Sequence, residues 1–257
     1  MLSTEANLIL RCTVGSTVYG LALEGTDDRD EMGIMLEPPS YITGLQEART
    51  IVERTKPEGV RSGPGDLDLV IHPLQKWVAL AVKGNPTVLT PLFAPHNQCQ
   101  VLTARGNELR SMRKQIISKK AGYAFLGYLA SQKLKFMGLR GQVGVKRPEL
   151  VEKYGYDTKY AMHALRLGYQ GIQLMNEGQI SLPMRPLERA LLMDVRRGVP
   201  KKDEVLKMIE ALEVELRQAV EKTHLQDSAD MHIINNFLHE TYMREWPALR
   251  TRSLGNV

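Results

Sequence analysis

Gly15-Ser16-Thr17-Val18-Tyr19-Gly20, followed after a short spacer by Thr26-Asp27-Asp28-Arg29-Asp30-Glu31-Met32-Gly33-Ile34, is the stretch that decides how this chain is read. The apolar run Leu8-Ile9-Leu10-Arg11-Cys12-Thr13-Val14 ahead of it has the pattern of a strand that ends at the Gly15-Ser16 turn. Glycine permits close backbone approach, and serine adds a hydroxyl donor. Asp28 and Asp30 are spaced so that, on a strand, both carboxylates point to one face. Two oxygen donors beside a turn whose amides can meet a phosphate suit a divalent cation and a triphosphate. Taken alone, the acidic run from Asp27 to Glu31 would read as a solvated turn; the Gly-Ser turn ahead of it favours a metal site.

Working outward, Glu31 to Leu36 reads as a second strand stopped by Pro38-Pro39, and Arg49 to Thr55 as a third. Lys56 to Gly65, with its prolines and glycines, reads as a loop, and Leu67-Asp68-Leu69-Val70-Ile71 as a fourth strand. A carboxylate inside an otherwise apolar strand is costly unless partnered, so Asp68 is the candidate third metal ligand. Asp66 lies on the same face at strand spacing and is its rival. Pro73 to Val82 carries a helical apolar stripe closed by Gly84, and Asn85-Pro86 opens another helix. From about residue 100 the pattern is almost wholly helical, with Val205, Ile209, Leu212, Leu216 and Val220 at helical spacing. From Arg250 onward the periodicity is lost, which predicts a frayed tail. The chain is thus expected to be α+β, with a mixed-sheet unit over 1–95, a helical substrate-binding unit over 96–250, and a flexible tail over 251–257.

Tyr154-Gly155-Tyr156-Asp157-Thr158-Lys159-Tyr160-Ala161-Met162-His163-Ala164-Leu165-Arg166 predicts a helix capped by Asp157-Thr158. Lys159, His163 and Arg166 fall on one face of it. Such a stripe is either a polar surface or a contact for phosphates and a base edge. Lys76 and Lys133 are weaker candidates of the same kind. His72, His96, His224, His232 and His239 show no metal-ligand spacing and read as surface or satisfied histidines.

Three ordered motifs now carry a family resemblance: the G-S turn with D-x-D, Asp68 to Trp77 leading into Lys83-Gly84-Asn85-Pro86-Thr87, and Tyr154 to Leu167. Together they resemble the DNA polymerase β-like nucleotidyltransferase superfamily, and within it the predicted nucleotidyltransferases of the YcgL/RlaP type. The resemblance spans residue 7 to about residue 240. It implies a polymerase β-like catalytic domain and a Mg²⁺-dependent transfer (Mn²⁺ as the alternative) of an NMP from an NTP, with the NTP lying between the two domains. It implies Asp28, Asp30 and Asp68 as catalytic metal ligands and Gly15 and Ser16 as holders of the incoming nucleotide. It also favours substrate contact for Lys159, His163 and Arg166. No recognisable nucleic-acid module is visible, which favours addition of one or a few nucleotides over templated synthesis. Rival readings are a protein-modifying nucleotidyltransferase, of the toxin or regulatory kind, and a non-catalytic nucleic-acid-binding protein of this fold.

The acceptor is where charge enters. The formal net charge is +5, but Arg105, Arg110, Arg113, Lys114, Lys119, Lys120, Lys133, Lys135, Arg140, Lys146 and Arg147 form a block interrupted by one acid, Glu108. Such a block suits a polyanion and points to an RNA acceptor; alternatively it is a solvated face balanced by the acidic helix containing Glu210, Glu213 and Glu215. Two cysteines, Cys12 and Cys99, are too few for a disulfide scaffold and read as structural thiols in a reducing cytoplasm. The opening Met1 to Asn7 lacks the layout of a signal peptide, and no apolar run suffices for a membrane span.

Overall fold

The computed structural model describes residues 7–23, 25–57, 60, 62–139 and 147–254. Glu58, Gly59 and Arg61 of the expected loop, Arg140 and Lys146 of the basic block, and tail residues 255–257 lie outside the described residues. Two compact units emerge: Met1–Val82 with Thr87–Ile116 and Ala229–Val257, and Lys83–Pro86 with Ile117–Ser228.

The first unit is built on a five-stranded mixed sheet with flanking helices. Its strands are β1 (Leu8–Thr13), β2 (Arg29–Met35), β3 (Ile51–Arg54), β4 (Leu67–Pro73) and β5 (Cys99–Leu102), in spatial order β3-β4-β2-β1-β5. Only β2 and β4 run parallel; the other neighbours are antiparallel. Leu8, Met35, Leu69 and Ile71 form a buried cluster against which Ile51, Leu67 and Val101 pack. The helix α3 (Leu74–Ala81) follows β4 directly, after the short α1 (Gly15–Tyr19) and α2 (Pro39–Thr43). It buries Leu74, Trp77, Val78 and Ala81, the i, i+3, i+4, i+7 stripe of its sequence.

β5 is the exception to a pattern that reads as almost wholly helical from about residue 100. Its four residues are too few for an alternating pattern to be read, and its pairing with β1 is remote in sequence. That pairing sets Cys12 opposite Cys99 with both thiols free. Burial pushes both thiols up, as inert structural cysteines require. The helix α4 (Pro86–Phe93) precedes β5; after β5 come α5 (Ala104–Ser111) and α6 (Arg113–Ile116), both within the sheet-bearing unit.

The last helix of the chain also belongs to this unit. It runs from Met231 to Leu254, continuing past Arg250, where loss of periodicity placed the start of a tail. It is fastened by Glu37, a carboxylate that is 1% exposed. Glu37 accepts from the Leu74 and Gln75 N–H groups at the start of α3, each at 3.1 Å, and from Tyr242 Oη at 2.7 Å. Trp246 Nε1 donates to the Glu37 carbonyl at 3.2 Å. Burial raises the Glu37 carboxyl above its ordinary 4.5 despite these three donors. The folded state therefore binds this proton more tightly than the unfolded state. Its contribution to stability is fully present below the unfolded value near 4.5 and is lost as pH rises through the raised value. Tyr242→Phe should destabilise the protein by about 1–2 kcal/mol, the worth of a hydrogen bond to a buried carboxyl group. Urea unfolding of both proteins checks this; unchanged stability would mean the clasp contributes nothing.

The second unit is helical: α7 (Lys119–Phe136), α8 (Pro148–Tyr154), α9 (Thr158–Glu177), α10 (Pro186–Arg196) and α11 (Lys202–Lys222). The helix α9 is its centre, packing on α7, α10 and α11. Gly168 and Gly171 make that approach possible, since a Cβ on either would stand within 3.0 Å of the Leu212 or Leu216 side chain of α11. No helix among the described residues is long and apolar enough to cross a membrane.

Candidate active site

The turn after β1 and the start of β2 are built against each other. Val14 N–H donates to the Asp30 carbonyl at 2.9 Å, and Gly15 follows with φ 68°. A Cβ on Gly15 would fall onto Asp30 Oδ2 and lie 2.9 Å from Asp30 Cβ, so the backbone here is the wall against which Asp30 rests. Ser16 Oγ donates to Asp27 Oδ2 at 3.1 Å, and the same oxygen accepts from Leu23 N–H at 3.0 Å. Asp27, a residue that no spacing rule singles out, thus ties α1 to the segment that delivers Asp28.

β2 begins at Arg29, earlier than its apolar pattern alone indicates, so Asp30 lies within the strand and Asp28 just before it. In the parallel pairing Asp30 stands opposite Asp68. The carboxylates of Asp28, Asp30 and Asp68 converge, with one oxygen from each lying within 4.8 Å of the others. All three are half-buried, open to a ligand yet partly withdrawn from bulk water. Asp68 is approached by Ser62 Oγ at 3.4 Å and by Arg54 Nε at 3.8 Å. Asp66 does not join the cluster. Its carboxylate turns back to accept from Gly63 N–H at 3.0 Å, while its carbonyl accepts from Arg29 N–H. It precedes the strand, so strand alternation does not govern its side chain.

Glu31 points to the opposite face of β2. It is 1% exposed, with Arg11 Nε 2.5 Å from Oε2 and Arg29 Nε 2.9 Å from Oε1. The acidic run Asp27–Glu31 is therefore divided by strand alternation into a converging cluster and a neutralised buried carboxylate. Three like charges this close repel one another, and a hard divalent cation with oxygen ligands is what such a donor set fits.

In the helical unit, Asp157 caps α9, accepting from Lys159 N–H at 3.0 Å and Tyr160 N–H at 3.1 Å. Arg147 Nη1 donates to the same carboxylate at 3.0 Å. Lys159, His163 and Arg166 lie along α9, with Arg166 buried and donating to Gln170 Oε1 at 2.6 Å. His163 Nδ1 is sealed without a hydrogen-bond partner. Burial first, then Arg166, Lys159, Arg147 and Arg196, hold the His163 pKa well below 6.5. The ring is therefore neutral at physiological pH.

Several described members of the basic block are engaged by partners. Arg105 meets Glu108 and Glu245, Arg110 meets the Ala94 carbonyl, and Lys133 meets Glu210 at 3.2 Å and Glu213 at 3.4 Å. Arg113, Lys114 and Lys120 remain exposed. Among the other candidates, Lys76 acts on His72, whose Nδ1 is 3.0 Å from Thr50 Oγ1 and whose pKa burial depresses.

A search of curated proteins returns no match. Among solved structures, a nucleotidyltransferase-like protein from Exiguobacterium sibiricum is 10% identical, with 94% of this chain and 76% of that one covered at a TM-score of 0.30. The sequence profile of RlaP, described as the RNA repair pathway DNA polymerase beta family, matches residues 2–240. With nearly its whole length matched, the chain belongs to the RlaP family and is a polymerase β-like nucleotidyltransferase.

Proposed function

We propose that this nucleotidyltransferase moves an NMP from an NTP to the hydroxyl of an RNA end and releases pyrophosphate. The acceptor oxygen forms a bond to the α-phosphorus, the α–β phosphoanhydride bond breaks, and the hydroxyl proton passes to solvent. The observation that carries this reading is the convergence of Asp28, Asp30 and Asp68 across the paired strands β2 and β4. These three would hold Mg²⁺ or Mn²⁺, which when bound supplies charge to the entering and leaving oxygens. The Gly15-Ser16 turn presents backbone to the nucleotide, while the Ser16 hydroxyl fixes Asp27. On α9, Lys159, His163 and Arg166 serve phosphate groups. RNA as acceptor is supported by the RNA repair description of the family and by exposed Arg113, Lys114 and Lys120.

The test is incubation with each labelled NTP and Mg²⁺, with an RNA pool, a protein extract and a metabolite mixture in separate arms. Label should enter RNA, with one pyrophosphate released per nucleotide added. Label in protein instead would move the reading to a protein-modifying enzyme. Asp68→Asn should remove transfer on the order of 10²-fold or more, because its charge belongs to the cluster. Asp66→Asn should retain transfer within a fewfold; the reverse ranking would make Asp66 the third carboxylate.

A further inference from the structure

The solvent-facing side of α7 carries features that packing within the helical unit does not explain. Tyr123 is 58% exposed and Tyr128 43%, and no other aromatic residue among the described residues is as open. A single exposed apolar side chain is ordinary; two exposed rings on one helix call for a reason. Between them in sequence lies Gly127, also exposed. Glycine inside a helix is destabilising relative to alanine, so packing or function has to account for it. Packing accounts for Gly106, Gly122, Gly168 and Gly171, where a Cβ would stand within 3.0 Å of a neighbouring backbone or side-chain atom. A Cβ on Gly127 would meet nothing within 4 Å. The Tyr128 ring is also held in place, since Asn85 Nδ2 donates to its Oη at 2.9 Å. The segment carrying Asn85 is pressed onto the same helix: a Cβ on Gly84 would lie 2.2 Å from Ala121 Cα. That contact brings exposed Lys83 alongside α7. The helix itself contains four lysines and no acid, and Lys120, one turn before Tyr123, is exposed.

We propose that this face of α7 is a platform for single-stranded RNA. Bases stack on the rings of Tyr123 and Tyr128, the strand approaches closely over Gly127, and Lys120 and Lys83 meet its phosphates. Open aromatic rings beside cations are what an unpaired strand requires, because every base has a flat face and every nucleotide a negative charge. A duplex hides its base faces and would leave both rings unused. The bond from Asn85 fixes Tyr128 before the strand arrives, which lowers the ordering cost of binding. That the strand is RNA rests on the acceptor reading above; that it is single-stranded and stacked rests on α7.

Fluorescence anisotropy of the full chain with three labelled probes of equal length tests this: a single-stranded RNA, an abasic ribose-phosphate strand and an RNA duplex. The single strand should bind about tenfold or more tightly than either of the others, the worth of a stacked base. Tyr123→Ala and Tyr128→Ala should each weaken single-strand binding about tenfold and leave binding of the abasic strand unchanged. Tyr123→Phe keeps the ring and should keep the affinity. Gly127→Gln should raise the melting temperature, as a helix former replaces glycine, and yet weaken single-strand binding by filling the space between the rings. Lys120→Gln should lower the slope of log affinity against log salt by about 0.7, the loss of one phosphate contact on a single strand. Val214→Ala, at a site 56% exposed on α11, should bind as the wild type does. Equal affinity for the single strand and the abasic strand overturns the platform, as does wild-type affinity in both Tyr123→Ala and Tyr128→Ala. If wild-type protein still labels RNA in the transfer assay, that result removes the platform and leaves the acceptor reading standing. Label in protein, with no RNA bound at low salt, overturns both.

Discussion

Asp30→Asn is expected to lower nucleotidyl transfer on the order of 10³-fold while leaving the protein folded. The amide preserves the shape of the side chain and its place opposite Asp68 in the β2–β4 pairing. What it removes is one of three negative charges whose oxygens lie within 4.8 Å of one another. In the absence of a divalent cation that charge is a liability, because crowded carboxylates repel. The variant should therefore melt at or above the wild-type temperature without metal, and it should gain less from added Mg²⁺. These two readings move in opposite directions, which a merely structural role for Asp30 would not produce. Activity within a fewfold of wild type would remove Asp30 from the chemistry.

The physical origin of that cluster was partly visible in the chain. A D-x-D pair reads as one-sided because a strand has period 2, and Asp68 stands out because its neighbours are apolar. The preference for Asp68 over Asp66 rests on that apolar setting alone. Both satisfy the alternation, and a local turn bond from Gly63 decides that Asp66 looks away. Ser16 offers a similar lesson: its type suggested a phosphate donor, but its hydroxyl is directed at Asp27, a partner no spacing rule selects. The basic block misleads for a related reason. A count of charges in sequence cannot tell Lys133, held by two glutamates of α11, from exposed Lys120. Where the sheet-bearing unit closes was equally hidden. Tyr242 reaches Glu37 across 205 residues, and β5 adds its edge after the sequence pattern has already turned helical. Local periodicity records neither of these long-range pairings.

Gly15→Ala should be the second severe lesion, and it separates shape from charge. Two costs fall on this residue. At φ 68° an L side chain is strained, by about 1 kcal/mol. Independently, the new Cβ would clash with Asp30 Oδ2 and stand 2.9 Å from Asp30 Cγ. Since Asp30 is fixed in β2, either its carboxylate rotates away or the turn backs off from the strand, and both disperse the triad. A stability loss of roughly 1–3 kcal/mol is expected. Transfer should fall on the order of 10²-fold or more, although no charge has been altered. Gly25→Ala provides the comparison. Gly25 has φ 71°, nearly the same backbone, but its Cβ would meet nothing within 4 Å. It should therefore show the strain cost of about 1 kcal/mol and keep most of its activity. Chemical denaturation and initial rates on both variants resolve the two costs. If Gly15→Ala loses no more activity than Gly25→Ala, the Gly15–Asp30 contact does not hold the carboxylate where transfer needs it.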